Sequence, residues 1–129
     1  MLKVQESMEN YLETIFVLEK EVGEVRSIDI ANALSFSKPS VSNAMKKLKA
    51  DGYIEMEDRG SVFLTEKGRA VATATYERHC VISTMLMELG VTKEIALEDA
   101  CKMEHVIHEE TLEAMKRYMS NKGVTPIEE

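Results

Sequence analysis

Apolar residues near the start of the chain recur at the spacing of an α-helix. Over residues 8–22, they fall three or four positions apart, so a helix would bring them to one face. Ser7 precedes this pattern as a candidate N-cap, and Gly23 follows it as a stop signal. The apolar positions are Tyr11, Leu12, Ile15, Phe16 and Leu18. The pattern predicts an amphipathic first helix whose polar face carries Asn10 and Glu13.

Two shorter helical patterns follow, separated by a turn at residues 35–37. Ser27 is a candidate cap for the first, and Pro39 suits the first turn of the second, where its missing N–H has no helical partner. The residues expected to face inward are Ile28, Ala31 and Leu34 in the first helix and Val41, Met45 and Leu48 in the second. Two short helices joined by a tight turn are typical of a helix-turn-helix.

A β-hairpin is predicted directly after these helices. Residues 53–56 and 61–64 alternate between apolar and polar, and Asp58, Arg59 and Gly60 lie between them as a turn. A hairpin in this position is the wing of a winged helix, so the first half of the chain is interpreted as a winged helix-turn-helix.

The second half is helical by the same criteria. One pattern runs from Thr65, a candidate N-cap, to about Leu89, a second begins at Thr92, and a third runs from about His108 to Met119. The tail from Asn121 is expected to fray.

A chain of 129 residues with 44% apolar composition suits one or two small domains with a core. We predict a mainly α fold, with a winged helix-turn-helix domain at residues 1–66 followed by an all-helical domain at residues 67–129. The net charge of −7 provides no general attraction to nucleic acid or to a membrane surface.

Targeting signals and disulfides are not expected. The chain has no run of 18 apolar residues that could span a membrane, and its first nine residues are too polar for a secretory signal. Two cysteines do not form a disulfide framework, so Cys80 and Cys101 are interpreted as reduced thiols of a cytoplasmic protein.

Positive charge is concentrated locally on the second helix of the helix-turn-helix. Residues 38–49 contain four lysines and no acidic residue. Lysines neutralise phosphates, and Ser and Asn can donate to phosphates or base edges. The alternative is a solvated lysine-rich face, but the helix-turn-helix context favours binding to double-stranded DNA. The candidate DNA-binding residues are Ser37, Lys38, Pro39, Ser40, Ser42, Asn43, Lys46, Lys47 and Arg59.

Candidate metal ligands lie in the predicted helix that starts at Thr92. Cys101, Glu104 and His105 have i, i+3, i+4 spacing and would share one helical face. A thiolate, a carboxylate and an imidazole can together bind a divalent transition metal. The alternative interpretation is a surface Glu-His pair beside a small buried cysteine.

Several short motifs occur along the chain in a specific order and spacing. They are Met8-Glu9-Asn10-Tyr11-Leu12-Glu13-Thr14-Ile15, Pro39-Ser40-Val41-Ser42, Asp51-Gly52-Tyr53, Leu64-Thr65-Glu66-Lys67-Gly68, Arg78-His79 and Ala100-Cys101-Lys102-Met103-Glu104-His105. In the order and spacing of these motifs, the chain resembles the metal-dependent repressors of the diphtheria toxin repressor and manganese transport regulator family. The similarity extends from Ser7 to about Met119.

The resemblance implies a homodimer that binds a palindromic operator and represses metal-uptake genes when metal is bound. It implies that residues 1–66 are a winged helix-turn-helix DNA-binding domain and residues 67–129 a helical metal-binding and dimerisation domain. Metal held between the two would limit the orientations of the recognition helices, which are the second helices of the two helix-turn-helices in the dimer. The implied metal ligands are Asn10, Glu13, His79, Cys101, Glu104 and His105.

Three departures from the family pattern affect these expectations. Asn10 stands where the family usually has Met or Asp, and it can coordinate only through a neutral carbonyl oxygen. Ser83 and Leu97 replace ligands of the ancillary site of iron-responding members, so that site is not expected. The sequence also ends at Glu129, without the extra domain of those members, and its length matches the manganese-responding ones.

The metal is inferred from the thiolate at Cys101. The manganese-responding members of the family have a carboxylate at the position of Cys101. A thiolate suits Fe(II), Co(II) or Zn(II) better than the harder Mn(II). Fe(II) is therefore favoured, with Mn(II) second; Co(II), Ni(II) or Zn(II) could bind in vitro.

Two other classes of protein remain as alternatives. One is a winged-helix regulator that senses an organic ligand or an oxidant through cysteine, without metal. The other is a metallohydrolase, but the chain has no nucleophile elbow, HExxH helix or phosphate loop. We therefore do not expect an enzyme.

Overall fold

The computed structural model describes residues 2–128, which form six helices and one three-stranded sheet. The helices are α1 Leu2–Val22, α2 Ser27–Leu34, α3 Lys38–Ala50, α4 Glu66–Glu88, α5 Lys93–Met103 and α6 Glu109–Lys122. The strands are β1 Val25–Arg26, β2 Ile54–Met56 and β3 Ser61–Leu64. The mainly α class and the winged helix-turn-helix followed by helices are confirmed.

The chain divides into two compact units, and the division falls between residues 73 and 74, inside α4. The sequence pattern placed the domain boundary at residue 66, where α4 begins. None of the described helices is both long enough and apolar enough to cross a membrane.

Helix α1 begins earlier than its apolar pattern indicated. Ser7 lies inside the helix, so its predicted role as the N-cap is wrong. The apolar stripe packs as expected, since Leu12 and Ile15 are fully buried in the core of the first unit. The residues before that stripe show no helical repeat of apolar positions. The sequence pattern therefore placed the start of the helix too late.

The two helices of the helix-turn-helix have well-defined ends. Ser35 ends α2 in the left-handed conformation, with φ of 58°. The Ser37 side chain accepts a hydrogen bond of 3.3 Å from the Ser40 N–H, which caps α3, and Pro39 lies in its first turn. Val41, Met45 and Leu48 are buried as predicted, whereas Ile28 is 39% exposed and does not face the core.

The wing is an antiparallel sheet in the order β1-β3-β2. β2 and β3 form the predicted hairpin, with Glu55 opposite Phe63. The two-residue strand β1 pairs with the outer edge of β3, with Val25 opposite Val62. A strand this short has no detectable alternation, so the sequence pattern missed it.

Helix α4 starts against the end of α3. The Thr65 hydroxyl donates to the Gly52 carbonyl at 2.7 Å and accepts from the Gly68 N–H at 3.1 Å, which confirms Thr65 as the cap. A Cβ on Gly68 would lie 2.0 Å from the Tyr53 carbonyl oxygen, so only glycine permits this approach.

The second unit has a smaller core formed by α4, α6 and the tail. Val81, Leu112 and Met119 are buried, and partly buried apolar residues such as Met85 pack against them. The tail does not fray as predicted, because Val124 joins this core and the Ile127 N–H donates to the Thr84 hydroxyl at 2.9 Å.

Candidate metal centre and nucleic-acid interface

The candidate metal ligands lie where α5 ends. The helix stops at Met103, Glu104 is its C-cap, and His105 lies in the following turn. The Glu104 N–H still donates to the Ala100 carbonyl at 3.0 Å, so Glu104 keeps its helical direction. The prediction of one continuous helix through His105 is therefore wrong, and the turn places that imidazole independently of the helical repeat.

Helix α4 supplies one further side chain, the imidazole of His79, to this part of the second unit. The His79 Nδ1 lies 3.1 Å from Glu104 Oε2 and 3.9 Å from Cys101 Sγ. His79, Cys101 and Glu104 each offer one possible ligand atom, and these three atoms lie within 4.8 Å of one another. The His105 Nε2 lies 3.4 Å from the other carboxylate oxygen, Oε1. Four of the six predicted ligands thus come together, with His79, Cys101 and His105 around the Glu104 carboxylate.

The Glu104 carboxylate is in an unusual environment for a charged group. Glu104 is 1% exposed, and no donor among the described residues makes a well-aligned hydrogen bond to either oxygen. The two imidazoles are close enough for ion pairing, but their contacts do not have hydrogen-bond geometry. A buried carboxylate without such partners is costly unless another cation neutralises it.

The donor set fits a transition metal. Imidazole nitrogen, thiolate sulfur and carboxylate oxygen are the mixed ligands of iron, cobalt and zinc sites, whereas magnesium and calcium prefer oxygen alone. Of the two cysteines, Cys80 is buried and Cys101 is exposed, both as thiols. Only the Cys101 sulfur belongs to the cluster of possible ligands among the described residues.

Neighbours of His79 on α4 fix its surroundings. The Tyr76 ring stacks on the imidazole, with centroids 6.4 Å apart. The Ser83 hydroxyl is buried and donates to the His79 carbonyl at 2.8 Å. The helix backbone thus holds the Ser83 hydroxyl in place one turn after His79.

Asn10 and Glu13, the remaining predicted ligands, lie on α1 in the first unit. Both residues are partly buried, and the Asn10 main-chain carbonyl accepts a hydrogen bond of 2.7 Å from the Thr14 hydroxyl. Their participation remains a prediction from sequence.

The predicted DNA-binding residues form an exposed set around α3 and the wing. The Ser37 cap and the lysine-rich helix present donors and positive charge to solvent, and α3 contains no acidic residue. All nine predicted residues are exposed: Ser37, Lys38, Pro39, Ser40, Ser42, Asn43, Lys46, Lys47 and Arg59.

A contact at the tip of the wing was not found by sequence reasoning. The Arg26 guanidinium donates to the Arg59 carbonyl at 2.9 Å, and the Arg26 N–H donates to the Asp29 carboxylate at 2.9 Å. Arg26 thus joins the start of α2 to the wing tip. The two arginines are distant in sequence, and only the pairing of β1 with β3 brings them together.

Two family models match almost the whole chain. A model described as the iron dependent repressor N-terminal DNA binding domain matches residues 3–62. A model described as the iron dependent repressor metal binding and dimerisation domain matches residues 65–128.

Curated relatives include a transcriptional regulator and an iron-dependent repressor. The chain is 41% identical over 119 residues to the transcriptional regulator MntR of Escherichia coli O157:H7, covering 92% of this chain and 77% of the relative. It is 31% identical over 127 residues to the iron-dependent repressor IdeR of Mycobacterium tuberculosis H37Rv, covering 98% of this chain and 55% of the relative.

Solved structures give a similar result. A manganese-dependent transcriptional repressor in complex with manganese superposes with a TM-score of 0.80 at 25% identity, covering 94% of this chain and 55% of that one. The manganese regulator SloR superposes with a TM-score of 0.77 at 28% identity, covering 88% and 53%. The chain therefore spans about half the length of these solved relatives.

Proposed function

The chain belongs to the family of metal-dependent transcriptional repressors that contains the iron dependent repressors, and from this premise we propose how it senses metal. The proposal is that Fe(II), or secondarily Mn(II), activates a homodimer of this chain to bind a palindromic operator and repress metal-uptake genes in the cytoplasm. The observation that carries it is the buried Glu104 carboxylate between two imidazoles and a thiol.

His79, Cys101, Glu104 and His105 would hold the metal, and Asn10 and Glu13 are proposed as further ligands. A bound divalent cation would neutralise the Glu104 charge and supply the coordination bonds that replace its missing hydrogen bonds. The protein residues contribute the rest: α4 presents one imidazole, the end of α5 presents the thiol and the carboxylate, and the following turn presents the second imidazole.

The preference for Fe(II) rests on the Cys101 sulfur. A thiolate binds Fe(II), Co(II) or Zn(II) better than Mn(II). The names of the relatives point in both directions, since they include a manganese regulator and an iron-dependent repressor. Mn(II) is therefore retained as the second choice, and Co(II), Ni(II) and Zn(II) are expected to bind in vitro.

DNA recognition is proposed for α3 and the wing. Lys46 and Lys47 would contact phosphates, Arg59 would reach a groove or a phosphate, and the Ser37-to-Asn43 segment would lie at the base edges. A dimer with two-fold symmetry presents two such helices, and this geometry selects a roughly palindromic site.

Exposed apolar residues in the second unit support the proposed homodimer. Four large apolar side chains there are between 44% and 68% exposed. Burial of such a surface in a subunit interface would be favourable at about 25 cal/mol per Å². The four residues are Leu89, Ile95, Val106 and Tyr118.

A mobility-shift assay with controlled metal tests this function. A binding sequence is first selected from random double-stranded DNA with Fe(II) present under anaerobic conditions. Binding is then measured in chelator, and Fe(II), Mn(II), Co(II), Ni(II) and Zn(II) are added back singly. We expect no specific shift in chelator and the strongest recovery with Fe(II).

The same assay distinguishes the proposed metal sensor from the alternative, a regulator that needs no metal. Binding that ignores chelator and is lost with peroxide would favour an oxidant sensor acting through cysteine, and would contradict the proposal. The proposed role requires no catalysis, in keeping with a family of transcriptional regulators.

A further inference from the structure

Arg78 makes a direct contact with the main chain of the candidate metal centre. Its Nε donates a hydrogen bond of 2.8 Å to the carbonyl oxygen of Glu104. Arg78 also immediately precedes His79 on α4. The same turn of α4 therefore provides one proposed ligand and holds the backbone of another.

This contact gives the Glu104 main chain its second hydrogen bond. As the C-cap of α5, Glu104 donates its N–H to Ala100, but its carbonyl lies among those that find no partner within a helix. Arg78 supplies that partner from another helix. Both main-chain polar groups of Glu104 are thus bonded, while neither side-chain oxygen has a hydrogen bond from the described residues.

The sign of the charge points to a geometric role. A guanidinium is repelled by a divalent cation, so attraction to the metal does not explain the position of Arg78. Arginine is instead suited to span two helices, because its planar fork loses little freedom when one N–H donates to a fixed acceptor. Holding the end of α5 against α4 keeps the carboxylate beside the His79 imidazole.

We propose that Arg78 is a positioning residue for metal binding, which sets the direction of the Glu104 carboxylate by fixing its main chain. This inference rests on the proposed metal centre. Substitution of groups that orient ligands typically lowers metal affinity by about 10- to 100-fold, so a loss of this size is expected when the Arg78 contact is removed.

The test compares three variants by Co(II) titration of the whole chain. Arg78→Met keeps the apolar stem and removes the donor, Arg78→Lys keeps a charge and places its donor one bond further along the side chain than Nε, and Arg117→Met changes an exposed arginine on α6. We expect Arg78→Met to lose about 10- to 100-fold in Co(II) affinity, with a changed visible spectrum. Arg78→Lys should recover part of the affinity, and Arg117→Met should match the wild type.

Thermal unfolding without metal shows which variants fold. If Arg78→Met does not fold, the comparison is made with Arg78→Lys, whose Co(II) affinity and spectrum should still differ from those of the wild type. Unchanged affinity and spectrum in the folded Arg78 variant, tighter binding in Arg78→Met, or an equal loss in Arg117→Met would overturn the inference. A wild-type chain that does not bind Co(II) would instead contradict the metal centre itself.

Discussion

The Nδ1 of His79 on α4 lies 3.1 Å from the Oε2 of Glu104 at the end of α5, and Glu104 is 1% exposed. This contact brings an imidazole to a carboxylate that no described donor satisfies with a proper hydrogen bond. The pair is poorly arranged to stabilise the fold by itself but well arranged to share a cation. Removal of the charge should therefore increase the free energy of unfolding in the absence of metal and weaken the binding of metal.

Glu104→Gln tests this opposition. The amide keeps the volume of the side chain but removes a buried charge, so the free energy of unfolding without metal should rise by about 1 kcal/mol. Metal at 100 times its dissociation constant should stabilise the wild type by about 2.7 kcal/mol, and the variant by far less. Thermal unfolding with and without Co(II) measures both effects.

Glu98→Gln is the matched control for that prediction. Glu98 is on α5 but is exposed and pairs only loosely with Lys102, at 4.0 Å. The stability of the Glu98→Gln variant without metal and its response to Co(II) should match those of the wild type. A large loss of metal-free stability in Glu104→Gln would show that the carboxylate stabilises the fold by ion pairing and would contradict our interpretation.

Cys101 should determine which metal activates the protein. Cys101→Ala should weaken the response to every metal, whereas Cys101→Glu should gain response to Mn(II) relative to Fe(II) or Co(II), because a carboxylate is a harder ligand. The near-ultraviolet thiolate-to-cobalt band should be present in the wild type and absent in both variants. Cys80→Ala removes the other thiol, whose sulfur is outside the cluster of possible ligands, and should keep the band. If Cys101→Ala also keeps the band, Cys101 is not a ligand and Fe(II) loses its main support.

Lys47→Ala should weaken DNA binding without changing its sequence preference. Lys47 is exposed near the end of α3, and the loss of one phosphate contact should reduce the slope of log affinity against log salt by about one unit. Affinities measured at several salt concentrations give the slope. The exposed Lys93 at the start of α5 provides the control, and Lys93→Ala should leave the slope unchanged. An unchanged slope in Lys47→Ala would exclude Lys47 from the interface.

Arg26 should act on DNA through the wing tip. Because its guanidinium holds the Arg59 carbonyl, Arg26→Met should loosen the tip and weaken operator binding. Removal of the Arg59 side chain should weaken binding by itself, and adding Arg26→Met to Arg59→Ala should then cost little more, since residues that act as a unit are not additive. Fully additive losses in this double-mutant cycle would indicate that Arg26 contributes independently of the wing tip.

A homodimer should be measurable by sedimentation at micromolar concentration with metal present. Ile95→Glu places a charge on a side chain that is 48% exposed within one chain, and should shift the species toward the monomer if this face is the interface. Phe63→Glu, on a wing residue that is 37% exposed, should leave the dimer intact. A wild-type monomer under these conditions would contradict the proposed assembly.

Local patterns in the sequence were sufficient for much of this protein. The helical repeat around Leu12 and Ile15 predicted a buried stripe, Pro39 and Thr65 predicted the starts of α3 and α4, and the alternation around Arg59 predicted the wing. Each depends on residues only a few positions apart, and hydrogen bonding and burial over such distances follow from residue type and spacing.

Only the tertiary structure decided the contacts that join distant parts of the chain. The pairing of β1 with β3 brings Arg26 to the wing tip, and the packing of α4 against the end of α5 brings His79 and Arg78 to Glu104. Spacing favoured a continuous helix through His105, but the helix ends at Met103 and a turn places the imidazole. Sequence periodicity describes the faces of a single element, whereas the meeting of two elements depends on how their surfaces pack, which no local pattern contains.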